Sequence, residues 1–252
     1  MTPRTREHLA GHIVVWMARI SQAQDSLPDL QPCLDPRDRE RVARFRFSED
    51  RARFTLGRGL LRKCVGEYLH QQPETIVLAY TNRNRPVLAQ DDSIQFSISH
   101  THDLVAVALT ADARIGIDLE HIHPTPDLPE LAERILSAQD LKTFQSLPRD
   151  EALTAFFRVW TRKEAYLKAR GEGITEGLQE ISVSLGPEEI SSVADTRDES
   201  AATTWRLLSL PVPEGYMGSI ACDDAEKSLH FREVRVDKGE VVPATDYGQN
   251  TL

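Results

Sequence analysis

Ile115-Gly116-Ile117-Asp118-Leu119-Glu120 sets three branched apolar residues against a glycine and two acids in strict alternation. A period of two belongs to a β-strand, whose successive side chains point to opposite faces. Ile117 and Leu119 then face a core, and the carboxylates of Asp118 and Glu120 share the other face. Upstream, β-rich stretches at 75–80, 94–99 and 104–110 follow a first strand at 12–20. Between them lie two helices. One opens at Asp35-Pro36, a capping residue followed by proline at the first helical position. The other opens at Ser48-Glu49-Asp50, and its apolar stripe runs through Phe54, Leu56, Leu60, Leu61, Val65 and Leu69 at helical steps. Arg51, Arg58 and Arg62 lie on another face of it. Downstream of Glu120, helices fill 129–145 and 150–170, the last ended by Gly171 and Gly173. Strands follow at 181–185, 205–210, 216–222 and 229–236, with a polar loop at 187–203 and a frayed tail from Lys238.

This order gives an α+β fold of two similar, pseudo-symmetric lobes in one chain. The N-terminal lobe spans 1–112, the C-terminal lobe 113–240 and a flexible tail 241–252. The active site is expected in the cleft between the lobes, the default place for a ligand.

The whole chain narrows the function classes. Its 252 residues, 40% hydrophobic and 27% charged, have the balance of a soluble globular protein. No apolar run approaches the roughly 18 residues that span a bilayer. The charged opening stretch carries no export signal, so a cytoplasmic protein is expected, with Cys33, Cys64 and Cys222 as reduced thiols. A net charge of −9 argues against a general nucleic-acid binder. Yet between Arg37 and Lys63 there are ten basic residues against four acidic ones. Such a segment suits a polyanionic ligand, or else is a solvated helix face.

Three segments carry chemistry. Asp118 and Glu120, paired on one strand face, could hold a hard cation such as Mg²⁺, which takes a few carboxylate oxygens plus substrate phosphates. The alternative is a solvent-facing acidic strand. Trp160, Glu164 and Lys168 recur one helical turn apart, beside Lys163 and before Gly171-Glu172-Gly173. A carboxylate flanked by two ammonium groups, Glu164 between Lys163 and Lys168, suits a metal and a phosphate, or else Glu164 and Lys168 form a surface ion pair. Ser99-His100 ends a strand at a polar turn; adjacent side chains diverge, so a phosphate contact fits better than a Ser–His nucleophile pair.

Jointly, Phe96-Ser97-Ile98-Ser99-His100, then Gly116-Ile117-Asp118-Leu119-Glu120, then Trp160, Lys163, Glu164, Ala165, Lys168, Gly171 and Gly173 resemble the Sfp-type 4′-phosphopantetheinyl transferases, in the Lys-Glu-Ala branch. Arg85-Pro86 and the helix from Arg53 to Arg62 match further elements of that family. The resemblance covers roughly residues 35–174. It departs at Ser97, where the family has Asn, and at Asp140, where it tends to have Glu.

The resemblance implies an enzyme that moves 4′-phosphopantetheine from coenzyme A to a serine of an apo acyl or peptidyl carrier protein, releasing 3′,5′-ADP. It implies Mg²⁺ held by Asp118, Glu120 and Glu164, with Glu164 as general base, kept ionised by flanking cations, and Lys168 stabilising the leaving phosphate. Arg41, Arg53, Arg85, Ser99, His100, Lys163 and Lys168 would bind coenzyme A. A monomer is expected, without membrane or nucleic-acid partners. Two rival readings stay open: a metal-dependent nucleotide pyrophosphohydrolase, and a non-catalytic module that binds coenzyme A or a carrier protein.

Overall fold

A computed structural model describes residues 5–89, 91–172, 177–244 and 250–251. The chain begins with helix α1 (Arg6–Gly11) and strand β1 (His12–Arg19), then the short turns α2 (Ile20–Ala23) and α3 (Leu27–Leu30). Helices α4 (Pro36–Arg44) and α5 (Ser48–Leu69) precede β2 (Leu78–Tyr80), β3 (Pro86–Leu88), β4 (Ile94–Thr101) and β5 (Leu104–Ala111). Next come β6 (Ile115–His121), α6 (Leu128–Ile135), α7 (Ala138–Gln145) and α8 (Arg149–Arg170). They are followed by β7 (Ile181–Val183), β8 (Ile190–Asp195), α9 (Ala201–Thr204), β9 (Arg206–Ser209) and β10 (Tyr216–Cys222). The chain closes with β11 (Ser228–Asp237), β12 (Glu240–Pro243) and β13 (Asn250–Thr251). Helices and largely antiparallel sheets make this an α+β protein.

The chain folds as two compact units, 1–112 with 226–252, and 113–225. The first contains a sheet in the order β12-β11-β1-β5-β4, with β13 also on β11, and the small pair β2-β3. Its inner strand β5 is buried at every position, and α5 packs there through Leu56, Leu60, Leu61 and Val65 against Trp16, Val105 and Val107. Strand β11 was expected in the C-terminal lobe. Instead it pairs in parallel with β1, from His12 opposite Ser228 to Ala18 opposite Val234, which brings the chain back to its first strand after the second unit. Of the tail expected to fray, β12 forms a hairpin with β11 and so continues that sheet, while residues 245–249 and 252 lie outside the described residues.

Charge in the first unit is partly internal. Asp35 caps α4 by accepting from the Asp38 backbone N–H at 2.8 Å, and it also accepts from Arg62 at 2.6 Å. Arg62 donates to Asp38 at 2.6 Å, with both side chains 1% exposed, and Arg58 lies 3.4 Å from the same carboxylate. Two of the ten cations in the basic segment therefore weld α5 to α4 instead of facing solvent. A buried charge is tolerated only when paired and hydrogen-bonded. Arg37, Arg39, Arg41 and Arg44 remain exposed on α4.

The second unit contains the sheet β6-β10-β9-β8-β7. Helix α8 covers it with Phe157, Val159, Tyr166 and Leu167 packed among Ile181, Leu207 and Trp205. The helical stretch 129–145 is two helices, broken where Ser137 turns extended and caps α7 by accepting from the Asp140 N–H. The expected loop at 187–203 holds strand β8 and helix α9. Among the described residues, no helix is long and apolar enough to cross a membrane.

Candidate active site

In the second unit the decisive contact is between backbones. A Cβ on Gly116 would overlap the Ala165 carbonyl oxygen and lie 2.5 Å from the Ala169 nitrogen. Only a residue without a side chain lets strand β6 lie this close to helix α8. From that point the strand and the helix run in register. The face of β6 that carries Gly116 also carries Asp118 and Glu120, two and four residues on, and both meet side chains of α8. Lys168 Nζ donates to Asp118 Oδ1 at 2.7 Å and to the Ile117 carbonyl at 3.0 Å. Trp160 Nε1–H donates to Glu120 Oε1 at 3.0 Å. Behind Asp118, the cross-strand neighbour Ser219 on β10 bonds Thr161 at 2.9 Å, which fixes the helix against the second strand as well. Gly171 ends α8 at φ 71°, its N–H bonding to the Leu167 and Lys168 carbonyls. Gly173 lies outside the described residues.

This arrangement buries acid. Asp118 is 4% exposed and Glu164 2%, and Glu120 is half-buried. Burial, then the Asp118 and Glu120 charges, push the Glu164 carboxyl up to about 7, against the pull of Lys168. Burial and Asp118 also raise Glu120. The expectation that flanking cations keep Glu164 ionised is corrected here. Only Lys168 acts on it, and desolvation outweighs that one charge.

Lys163 is also corrected. Its side chain is fully buried, and its ammonium donates to the Ile135 carbonyl at 2.8 Å and the Leu178 carbonyl at 2.9 Å. Asp140 lies 3.7 Å away. Burial lowers the Lys163 amine to about 8. Lys163 thus ties α8 to the end of α6 and to the segment before β7, and it is not presented to a ligand. Asp140, noted in the sequence only as a neutral departure, is its counter-charge. Periodicity put Lys163 beside Glu164, but it could not say what covers that side of the helix.

Three carboxylates around one ammonium make a site short of positive charge. Glu164 Oε1 is buried with no hydrogen-bond partner among the described residues. A buried acceptor of that kind is costly unless something supplies charge to it. Asp118, Glu120 and Glu164 could therefore take up a hard divalent cation, which prefers carboxylate oxygens, once their oxygens draw closer together. Trp160 and Gly116, given no role in the sequence reading, act here as positioning residues. Trp160 orients Glu120, and Gly116 sets the spacing.

In the first unit, α5 and β4 bring another set together. Ile98 and Val105 face α5 at Gly57. Arg53 lies one turn before Gly57, and His100 two residues after Ile98, so both lie at the same end of that contact. Arg53 donates to the His102 carbonyl at 3.3 Å and pairs with Asp50 at 3.0 Å. His100 is exposed at the end of edge strand β4, and Ser99 is turned to the other face and buried. Exposed Arg41 lies over the Phe54 ring at 5.1 Å, and Arg85 is half-buried, with its guanidinium pKa lowered by burial.

The Glu164 shift has a measurable consequence in metal-free protein. Folding raises the proton affinity of this carboxyl from its ordinary 4.5 to about 7. Its contribution is therefore complete below pH about 4.5 and is lost as pH rises through about 7. Over that window the unfolding free energy should fall by up to about 3 kcal/mol from this group. Glu164→Gln should remove that part of the slope in urea titrations at successive pH values. An unchanged slope in the variant would contradict the assignment.

Comparison with known proteins agrees with this picture. The 4′-phosphopantetheinyl transferase superfamily matches residues 114–221, and the 4′-phosphopantetheinyl transferase N-terminal family matches residues 21–112. The 4′-phosphopantetheinyl transferase HetI of Nostoc sp. is 36% identical over 84% of this chain and 88% of its own. The 4′-phosphopantetheinyl transferase psf-1 of Bacillus pumilus is 35% identical over 65% of this chain and 69% of its own. The human L-aminoadipate-semialdehyde dehydrogenase-phosphopantetheinyl transferase is 31% identical over 78% and 69%. With acids, lysine and glycine gathered where β6 meets α8, and relatives of this kind along most of its length, the chain belongs to the 4′-phosphopantetheinyl transferase superfamily.

Proposed function

We propose that this enzyme transfers 4′-phosphopantetheine from coenzyme A to a serine hydroxyl of an apo acyl or peptidyl carrier protein. It does so in a Mg²⁺-dependent reaction that releases 3′,5′-ADP, acting as a monomer. The observation that carries the reading is the group of buried Asp118 and Glu164 and half-buried Glu120 around Lys168, with an acceptor on Glu164 that has no donor among the described residues. Phosphoryl transfer asks mainly for positioning and charge stabilisation, and this equipment suits it. In the reaction the serine oxygen forms a bond to the β-phosphorus, and the bond from that phosphorus to the bridging oxygen of 3′,5′-ADP breaks.

Asp118, Glu120 and Glu164 would hold the ion. Mg²⁺ bound there supplies charge neutralisation to the pyrophosphate. Trp160 holds Glu120 in orientation through its indole N–H. Lys168, anchored on the Ile117 carbonyl, places an ammonium beside Asp118 for the leaving phosphate. Glu164 takes the serine proton, directly or through one water, which its position beside Asp118 and Lys168 favours. Arg41, Arg53, Arg85 and His100 of the first unit serve the 3′-phosphate and adenine end of coenzyme A, whereas the Ser99 side chain, buried on the opposite face of β4, is kept out of that contact. There, arginine offers a planar, bidentate fork to phosphate oxygens.

Intact-mass spectrometry of an apo carrier protein incubated with enzyme, coenzyme A and Mg²⁺ tests the reaction. The expected result is one phosphopantetheine added, none with EDTA, and none with Asp118→Ala at retained fold. Release of 3′,5′-ADP without a carrier would favour a pyrophosphohydrolase instead. Full transfer by the Asp118 variant would remove that residue from the metal set. The 3′-phosphate assignment has its own test. His100→Ala should raise the KM for coenzyme A about tenfold, the loss of one charged hydrogen bond, and change that for 3′-dephospho-coenzyme A much less. An equal loss for both substrates would contradict it.

A further inference from the structure

Away from the acids, the first unit gathers three imidazoles from distant parts of the chain. His8 lies on α1 and His12 opens β1, four residues later. His230 lies on β11, where the parallel register places it opposite Val14. Val14 shares its strand face with His12, so His230 comes to the same face as His12. The ring centroids of His8 and His12 are 4.3 Å apart, those of His12 and His230 4.1 Å, and those of His8 and His230 5.2 Å. One ring nitrogen from each lies within 4.8 Å of the other two. Among the described residues, no other set of three histidine, cysteine or acidic groups meets that spacing, the acids of the second unit included.

The hydrogen bonding prepares this cluster for a ligand. His12 Nδ1 is 2.7 Å from the His8 carbonyl oxygen. A carbonyl can only accept, so Nδ1 carries the hydrogen and Nε2 presents its lone pair. A bond of this kind, from ring N–H to backbone carbonyl, is what metal-bound histidines normally have. His8 is 8% exposed, and its Nε2 is buried with no hydrogen-bond partner among the described residues.

We propose that His8, His12 and His230 form a binding site for a borderline transition-metal ion, of which Zn²⁺ is the type, separate from the acidic site of the second unit. Imidazole selects zinc-class ions over magnesium, whereas carboxylates select the reverse. Nitrogens bound at about 2.0–2.1 Å in a tetrahedron lie about 3.4 Å apart. Ring rotation has to bring the three atoms closer, and the nearly parallel His8 and His12 rings, at 22°, must splay. Arg232 opposes any cation here, which disfavours a loosely held ion and leaves only one gaining three coordinate bonds. Such an ion would clip α1, β1 and β11 together at the point where the chain returns to its first strand.

The test uses tag-free protein, dialysed against a chelator and titrated with Zn²⁺ in competition with a chromophoric chelator. We expect one Zn²⁺ per chain, little competition from Mg²⁺, and a Tm that rises with Zn²⁺. His230→Gln and His12→Gln should each weaken binding at least about 100-fold, beyond the loss typical for an outer-shell partner. Asp118→Ala should leave Zn²⁺ binding unchanged. The proposal is overturned by an absence of stoichiometric binding, by equal affinity in His230→Gln, or by loss of binding in Asp118→Ala. Co²⁺ titration of the wild-type protein keeps the question decidable if a histidine variant fails to fold. Nitrogen-ligated Co²⁺ gives a visible absorption band, and its absence overturns the site. None of these readouts depends on transferase activity.

Discussion

Strand β6 can lie against helix α8 only because Gly116 has no side chain to meet the Ala165 carbonyl and the Ala169 nitrogen. The chemistry of the second unit follows from that contact. With the backbones this close, Lys168 reaches both a carbonyl and a carboxylate of the strand, and Trp160, two turns earlier, reaches Glu120. Glu164, between them on the helix, is then closed off from water. Its raised pKa and its unpartnered oxygen follow from burial among like charges. Ala165 belongs to the same constraint, since its carbonyl faces the space that the glycine leaves.

Stability and function make different demands on charge in this molecule. Arg62 and Asp38 are buried, Asp35 is half-buried, and the three satisfy one another and hold α4 to α5. Lys163 is buried and satisfied by carbonyls. The acids around Glu164 are buried with too little positive charge. A structural cluster has no reason to keep that deficit, whereas a site that takes up a cation with its substrate does. Distinguishing satisfied from unsatisfied buried charge therefore separates the residues that hold the fold from those proposed to take a ligand.

Much of this was legible in the sequence where the signal is local. The alternation around Asp118 gave the strand and the shared face of its acids, and Asp35-Pro36 gave the cap of α4. Gly171 marked the end of α8. Non-local pairing left no such trace. Nothing in Leu229 to Val236 says that it pairs in parallel with β1, because a strand's own pattern does not name its partner. Strand β8 was missed because half of its residues are polar, and its pairing with β9 rests on backbone hydrogen bonds. Lys163 was misassigned because spacing along a helix fixes direction, and the covering layer, here the end of α6 and the segment before β7, comes from elsewhere in the chain. The basic segment was overcounted for the same reason, Arg58 and Arg62 being turned inward.

The central claim is that the close approach at Gly116 sets the catalytic register, and Gly116→Ala tests it most directly. Carrier-protein modification and thermal unfolding would be measured on the same preparation. The added methyl must push β6 away from α8, and a displacement of about 1 Å at a reacting centre costs about 100-fold in rate. The account predicts a loss of kcat/KM of at least that size in the folded protein, together with a lowered Tm. Wild-type turnover at unchanged Tm would contradict it.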